Sequence, residues 1–174
     1  MDKSKLEKSI ANAFADVEVP PDWALVRSHE GPEAAKIEQA FHGRSDWRTM
    51  GAHELDIEPA LSLFSDEAWR YYLPAFMIHD IYGRLAHEEV VFHLTVGLTD
   101  EDRNELSNPR RYGARTRWDG TVFRCSVFSV EQAKAIVEYL LFKVAEEGER
   151  GYFTPHIRQA LSNYWLVRAE SKVE

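Results

Sequence analysis

Residues 71–78 (YYLPAFMI) constrain the fold of this chain more than any other part of its sequence. No polar residue interrupts this run, so a helix formed by it would be apolar on every side, and such helices lie buried inside proteins. Ser65 is a typical N-cap ahead of the run, and Asp66 and Glu67 place acidic residues in the first turn. The pattern therefore predicts a helix over 66–83 at the centre of the protein.

Pro74 lies in the middle of this predicted helix. A proline there removes one backbone donor and crowds the carbonyl four residues before it, here that of Arg70, at a cost of about 3 kcal/mol. We therefore expect a kink at Pro74. A second interpretation is that the kink opens a pocket for a small ligand or substrate, lined by Trp69, Tyr72 and His79.

The apolar run is too short to cross a membrane, because a spanning helix needs roughly 18 apolar residues. The N-terminal residues MDKSKLEKSIANAF lack the apolar stretch of a signal peptide. The single cysteine, Cys125, excludes an internal disulfide. We therefore expect a soluble protein of the reducing cytoplasm.

Helical spacing of apolar residues dominates the rest of the chain. It predicts helices over 4–14, 33–41 and 130–147, with a short helix after Thr99. Thr154 as N-cap and Pro155 at the first helical position predict a final helix that runs to about 169. Only TRWDGTVFRCSVF is strand-like, and its Asp119-Gly120 pair favours a small β-hairpin near 116–124. The 174 residues suit one domain. We therefore predict a single, mainly α domain (1–174), with a core over 5–147 and a helical extension over 149–174.

The predicted helix 130–147 has a second apolar stripe beside its core face, formed by Ala135, Tyr139 and Phe142. A helix that is apolar on two sides usually lies between two layers of one fold. The alternative is that Tyr139 and Phe142 form a surface for another protein or for a second copy of this chain.

The most distinctive polar feature is the segment NPRRYGARTRWDGTVFR, residues 108–124. Its five arginines are Arg110, Arg111, Arg115, Arg117 and Arg124. With Asp119 as the only acid, the segment has a charge of five minus one, or +4, in a chain whose net charge is −8. Arginines interleaved with Tyr112, Trp118 and Phe123 suit phosphate, carboxylate or single-stranded nucleic acid. Alternatively, the arginines pair with the protein's own acids or keep a loop hydrated.

The overall negative charge argues against nucleic acid and anionic membranes as partners. Nucleophile, nucleotide and dinucleotide motifs are absent from the sequence. The segment HELDIEP (53–59), if extended, places Glu54, Asp56 and Glu58 on one face, which would suit Mg²⁺, Mn²⁺ or Ca²⁺. Acids on the solvent side of an edge segment are equally ordinary. We predict no catalytic residue, no metal and no cofactor.

The string SDEAWRYYLPAFMIHDI is similar to the central motif of an uncharacterised bacterial family, a domain of unknown function. Its members combine an aromatic YYLPA helix with an upstream aromatic–tryptophan segment and a later capped helix that follows a phenylalanine. The counterparts here are Phe41 with Trp47, residues 71–75, and Phe128 with the helix from Val130. The resemblance covers roughly residues 5–147, and the extension past Gly148 matches no part of the pattern. It implies a soluble bacterial domain and supplies no mechanism.

Binding surfaces without a reactive constellation favour a non-enzymatic protein-interaction or regulatory module. The predicted contact residues are Arg110, Arg111, Arg115, Arg117, Trp118, Tyr139 and Phe142. The partner would be another protein or a second copy of the chain. The alternative function is an enzyme or small-ligand binder that uses the pocket at Pro74.

Overall fold

The computed structural model describes residues 2–87 and 89–171, and the chain is mainly α, as predicted. Its α-helices are α1 Lys3–Ala13, α2 Pro32–Phe41, α3 Ala52–Leu55, α4 Ala60–Leu63, α5 Asp66–Ile81, α6 Val90–Thr95, α7 Pro109–Tyr112, α8 Arg117–Cys125, α9 Val130–Glu147, α10 Thr154–Ala160 and α11 Leu166–Glu170. Short 3₁₀ helices cover Asp22–Ala24, Trp47–Thr49 and Glu101–Arg103, and a π-helical turn covers Leu161–Trp165. Within the described residues, β pairing is limited to two isolated bridges, Val26–Phe64 and Leu106–Thr116.

The chain divides into two compact units, which are described separately. The first is Asp2–Val90 and the second begins at Val91. The expected single domain stays a prediction. None of the helices in the described parts of the chain is long and apolar enough to span a membrane.

The first unit is built around α5, as the apolar run predicts. Every residue of α5 from 71 to 77 is buried, including Pro74, and the helix continues through the proline without interruption. Ser65 caps it as expected, because the Ser65 hydroxyl oxygen accepts a hydrogen bond from the Ala68 N–H at 3.0 Å. The same hydroxyl donates to the Ala24 carbonyl at 2.5 Å. The start of α5 is thereby tied to the 3₁₀ helix Asp22–Ala24.

The second unit is built around α9, which begins and ends as predicted. Ser129 and Gln132 form the predicted capping box. The Ser129 hydroxyl accepts a hydrogen bond from the Gln132 N–H at 3.2 Å, and the side-chain amide oxygen of Gln132 accepts one from the Ser129 N–H at 3.0 Å. Gly148 ends the helix with a φ of 75°, a left-handed conformation that glycine adopts without steric cost. Helices α10 and α11 pack against α9.

The β-hairpin predicted near 116–124 is wrong, because these residues form α8. The Asp119 carboxylate accepts a hydrogen bond from the Thr116 N–H at 3.0 Å, and the Thr116 hydroxyl accepts one from the Asp119 N–H at 3.1 Å. This capping box begins a helix. Asp119 and Gly120, the predicted hairpin turn, lie inside the first turns of this helix. The local capping bonds outweigh the strand preference of Val122 and Phe123.

The final helix begins one residue earlier than predicted. Thr154 is its first residue, rather than its N-cap, because the Thr154 hydroxyl donates to the Gly148 carbonyl at 2.8 Å. Trp165, in the π turn, donates its indole N–H to the Leu94 carbonyl at 2.8 Å. In α11, Arg168 donates to the Phe128 carbonyl at 2.6 Å. These two bonds fix the C-terminal end of the π turn and α11 against the rest of the second unit.

Gly97 and Gly120 allow a matched test of the second unit. Gly97 has a φ of 81°, and a Cβ there would overlap Thr121 Oγ1 and approach Thr121 Cβ to 2.9 Å. We expect Gly97→Ala to lower the free energy of unfolding by about 2 kcal/mol or more. Urea denaturation followed by circular dichroism measures this change.

The control is Gly120→Ala, the same substitution inside α8, where a Cβ meets nothing within 4 Å. Alanine has the higher helix propensity, so we expect Gly120→Ala to raise the free energy of unfolding by about 0.5–1 kcal/mol. Equal effects of both substitutions would contradict the packing of α8 against Gly97.

Candidate binding surface

The segment between Leu106 and Thr116 is a closed loop in the second unit. Leu106 and Thr116 form the isolated antiparallel bridge at its base. The Ser107 N–H donates to the Arg115 carbonyl at 2.9 Å, and the Arg117 N–H donates to the Glu105 carbonyl at 2.8 Å. These two hydrogen bonds make up the bridge and fix where the loop leaves and re-enters the fold, so its tip, which includes α7, is presented in one place.

Arg117 belongs to the base of this loop rather than to its exposed tip. Its guanidinium donates to the Glu105 carboxylate at 2.9 Å and lies 3.9 Å from the buried Asp102 carboxylate. The hydrogen bond to Glu105 raises the pKa of Arg117 above its ordinary value. Arg117 therefore pairs with the protein's own acids, which is the alternative that the sequence left open for the arginines.

Three other arginines lie over aromatic rings. The Arg103 guanidinium is 3.7 Å from the ring centre of Trp118, that of Arg111 is 5.4 Å from Tyr112, and that of Arg115 is 5.5 Å from Phe123. These distances fall within the range of cation–π attraction, about 6 Å. Arginine stacked in this way keeps its N–H groups, which point outward in the plane of the guanidinium, available to a ligand.

Arg110 completes the set. It is exposed in α7, and among the described residues neither an acid nor an aromatic ring contacts it. We call these side chains together the arginine–aromatic surface: Arg103, Arg110, Arg111, Arg115, Tyr112, Trp118 and Phe123.

Electrostatics favour an anionic ligand at this surface. Residues 106–115 contain three arginines and no acidic residue. Asp119 is the only acid in the wider segment 108–124. Its carboxylate accepts a hydrogen bond from the Thr116 N–H, and this bond lowers the pKa of Asp119. Its charge is thus engaged at the start of α8. Asp119 also attracts Arg115, so the net positive charge of the loop lies mainly on Arg110 and Arg111, next to exposed aromatic rings.

Sequence reasoning found most of this surface and missed Arg103. That residue lies in the acidic segment TDEDRNE, where its neighbours suggest a solvated charge. Only the packing of the 3₁₀ helix Glu101–Arg103 against α8 places it on Trp118. A side-chain contact made between two elements leaves no local signal in the sequence.

The apolar stripe of α9 is buried. Tyr139 is 0% exposed and Phe142 is 6% exposed. These values favour the interpretation of the stripe as core, because a partner surface needs accessible side chains. Tyr139 and Phe142 are therefore core residues of α9 rather than exposed contact residues.

Two of the side chains proposed to line a pocket at Pro74 are core residues. Trp69 and Tyr72 are buried, and the Tyr72 ring lies 4.9 Å from the ring of Phe41 and 5.4 Å from that of Phe64. Burial raises the pKa of the Tyr72 hydroxyl, which donates to the Arg44 carbonyl at 2.8 Å. Aromatic rings thus occupy the space beside this part of α5.

His79, the third proposed pocket residue, is half-buried. Its Nε2 lies 3.0 Å from the Met50 carbonyl, so Nε2 carries the proton and donates it. Its buried Nδ1 has no hydrogen-bond partner among the described residues. One imidazole beside a filled core does not provide the convergent polar groups of a ligand site.

The acids of the segment 53–59 make bonds within the first unit. Glu54 accepts from the Gly51 N–H at 2.7 Å and pairs with Arg44 at 2.6 Å. Asp56 accepts from the backbone N–H groups of Ala86 and His87 at 2.8 and 2.9 Å. The segment is not extended as a whole, because residues 53–55 are helical and belong to α3. Within residues 2–87 and 89–171, no three His, Cys, Asp or Glu side chains are grouped to hold a metal ion.

The chain belongs to a family of unknown function, DUF6714, whose sequence profile matches residues 2–169. The match extends through α10 and α11, so the expectation that the extension past Gly148 lies outside the family pattern is wrong. No curated protein and no solved structure matches the chain significantly.

Glu54 gives a prediction of how stability depends on pH. Its hydrogen bond with the Gly51 N–H holds the pKa of the carboxyl below its ordinary value of 4.5. A lowered pKa stabilises the fold above that ordinary value, and this contribution is lost as the pH falls through the pKa in the folded state. We expect Glu54→Gln to reduce the free energy of unfolding at pH 7 and to make its decline below pH 4.5 shallower.

Chemical denaturation between pH 3 and 7 measures this dependence. The control is Glu58→Gln, which removes an exposed acid from the same segment. We expect the Glu58 variant to keep the wild-type profile. A Glu54 variant with the wild-type slope would contradict the assignment of this acid to the start of α3.

Proposed function

We propose that the protein is a non-enzymatic interaction module that binds an acidic segment of a partner protein through the arginine–aromatic surface. The observation that carries this proposal is that three guanidinium groups lie on aromatic rings beside a loop that contains no acid. Carboxylates would accept from the N–H edges of the arginines, and apolar side chains of the partner would contact the exposed rings.

The anchored base of the loop supports this function. Binding costs entropy whenever a flexible loop must be ordered, and less when the loop is already held. Arg117, in contact with Glu105 and Asp102, acts as a positioning residue for the loop. In this proposal the partner therefore meets a surface whose backbone is already in place.

The charge of the whole protein narrows the class of partner. At a net charge of −8, the chain repels a long polyanion such as nucleic acid, even though the loop itself is positive. A short acidic segment meets the loop's field within about one Debye length, roughly 8 Å at physiological salt. A protein segment is therefore the partner that we propose. We propose the cytoplasm as the compartment, because the single, buried thiol of Cys125 suits a reducing environment.

A labelled peptide of alternating Glu and Ser with one Trp tests this function. We expect it to bind the protein, and the same peptide with Gln in place of Glu to bind at least about tenfold more weakly. We also expect Arg110→Glu/Arg111→Glu/Arg115→Glu to weaken binding of the acidic peptide at least about tenfold. Exposed ion pairs contribute roughly 0.2–1 kcal/mol each, and about 1.4 kcal/mol is tenfold. Fluorescence anisotropy measures the affinities.

The matched control is Lys5→Glu/Lys36→Glu/Arg150→Glu, which changes the net charge by the same amount at exposed positions outside the surface. We expect it to bind the peptide nearly as well as the wild type. Equal affinity for the Glu and Gln peptides, or equal losses in both triple variants, would overturn the proposal.

A further inference from the structure

Trp23, in the first unit, is exposed to an unusual degree for a tryptophan. It is 76% exposed. Tryptophan is highly buried on average, and where it lies on a surface it is among the residues that most often dominate binding energy. Within the described residues, neither an aromatic ring nor a cation contacts it. The fold therefore leaves most of this side chain exposed.

The backbone that carries Trp23 is held firmly. Asp22, the residue before it, accepts from the Gly43 N–H at 2.9 Å and lies 3.1 Å from His42 Nδ1. Ala24, the residue after it, is buried, and its backbone carbonyl accepts a hydrogen bond from the Ser65 hydroxyl. Because the residues on both sides are tied down, the exposure of Trp23 is built into the fold.

The chain around Trp23 is acidic. Residues 16–23 (DVEVPPDW) contain three acids and no basic residue, and we call them the acidic tryptophan segment. Asp16 and Glu18 are exposed, and Val19 adds exposed apolar surface. Arg48 donates to the Ala15 carbonyl just before this segment, but its guanidinium pairs with Asp46 and stacks on Trp47. The segment thus presents a tryptophan among carboxylates.

We propose that the arginine–aromatic surface of one copy of this chain binds the acidic tryptophan segment of a second copy. This proposal rests on the proposed function and names its partner. Residues 106–115 carry three positive charges and no acid, and residues 16–23 carry three negative charges and no base. Among residues 2–87 and 89–171, Arg110 has no aromatic ring beside it and Trp23 has no cation beside it. Tryptophan is the aromatic residue that attracts a cation most strongly. Trp23 of one copy can therefore provide the ring for Arg110 of the other copy.

The two surfaces are different, so the contact is heterologous. Each copy that binds through one surface keeps its other surface available, and such contacts produce a ring if the rotation closes or an open chain if it does not. The association is therefore expected to grow with protein concentration. It is also expected to weaken with salt, because exposed charges are screened over about 3 Å at 1 M ionic strength but only over about 10 Å at 0.1 M.

Sedimentation velocity over a concentration series tests the proposal by a charge exchange. One variant is Arg110→Glu/Arg111→Glu/Arg115→Glu, and the other is Asp16→Lys/Glu18→Lys. We expect each variant alone to be monomeric at concentrations where the wild type associates. We expect an equimolar mixture of the two to associate again, because opposite charges then face each other. Trp23→Ala should weaken wild-type association at least about tenfold, as is typical of a tryptophan at the centre of an interface.

Matched controls separate this contact from general effects of charge and exposure. Glu30→Lys/Glu170→Lys reverses two exposed acids elsewhere, and Tyr152→Ala removes another highly exposed aromatic ring. We expect both to associate like the wild type. A monomeric wild type at all concentrations, or a mixture of the charge variants that stays monomeric, would overturn self-recognition. Binding of the Glu peptide would in that case still support the proposed function, whereas loss of both results would overturn the two proposals together.

Discussion

The reciprocal hydrogen bonds between Thr116 and Asp119 are the interaction on which the candidate surface depends. They begin α8 at the point where the loop returns to the fold. The helix then presents Trp118 to Arg103 and Phe123 to Arg115, which are positions that a strand would not supply. They also engage the only acid of the segment 108–124. One capping box thus determines the shape of the surface and places its acid near Arg115.

The centre of each unit was predictable because burial leaves a strong pattern in the sequence. The apolar run 71–78 predicted α5 as a buried helix, and Ser129 with Gln132 predicted the start of α9. The β-hairpin predicted near 116–124 is wrong because Thr116 and Asp119 cap a helix there, and the strand preference of Val122 and Phe123 does not overcome those bonds. This capping pair is visible in the sequence as Thr-x-x-Asp.

Other parts of the site could not be predicted, for a physical reason. Arg103 joins the surface through contact with Trp118, fifteen positions along the chain, and neither residue's local sequence indicates it. The roles of Arg117 and Glu54 likewise depend on which partner lies within reach in the folded chain. Residue type predicted that arginines and aromatics would gather here. It did not predict which arginine pairs with an acid and which remains available.

The π turn at Leu161–Trp165 has a consequence for how the last helix tolerates change. A π turn holds one more residue than an α turn, so every later residue is rotated by about 100° from the position that a regular helix would give it. Trp165 can then reach the Leu94 carbonyl while Arg168, one turn later, reaches the Phe128 carbonyl. Loss of a single residue within the turn would restore a regular helix and direct Arg168 elsewhere. The length of this helix, and not only its composition, is therefore under constraint.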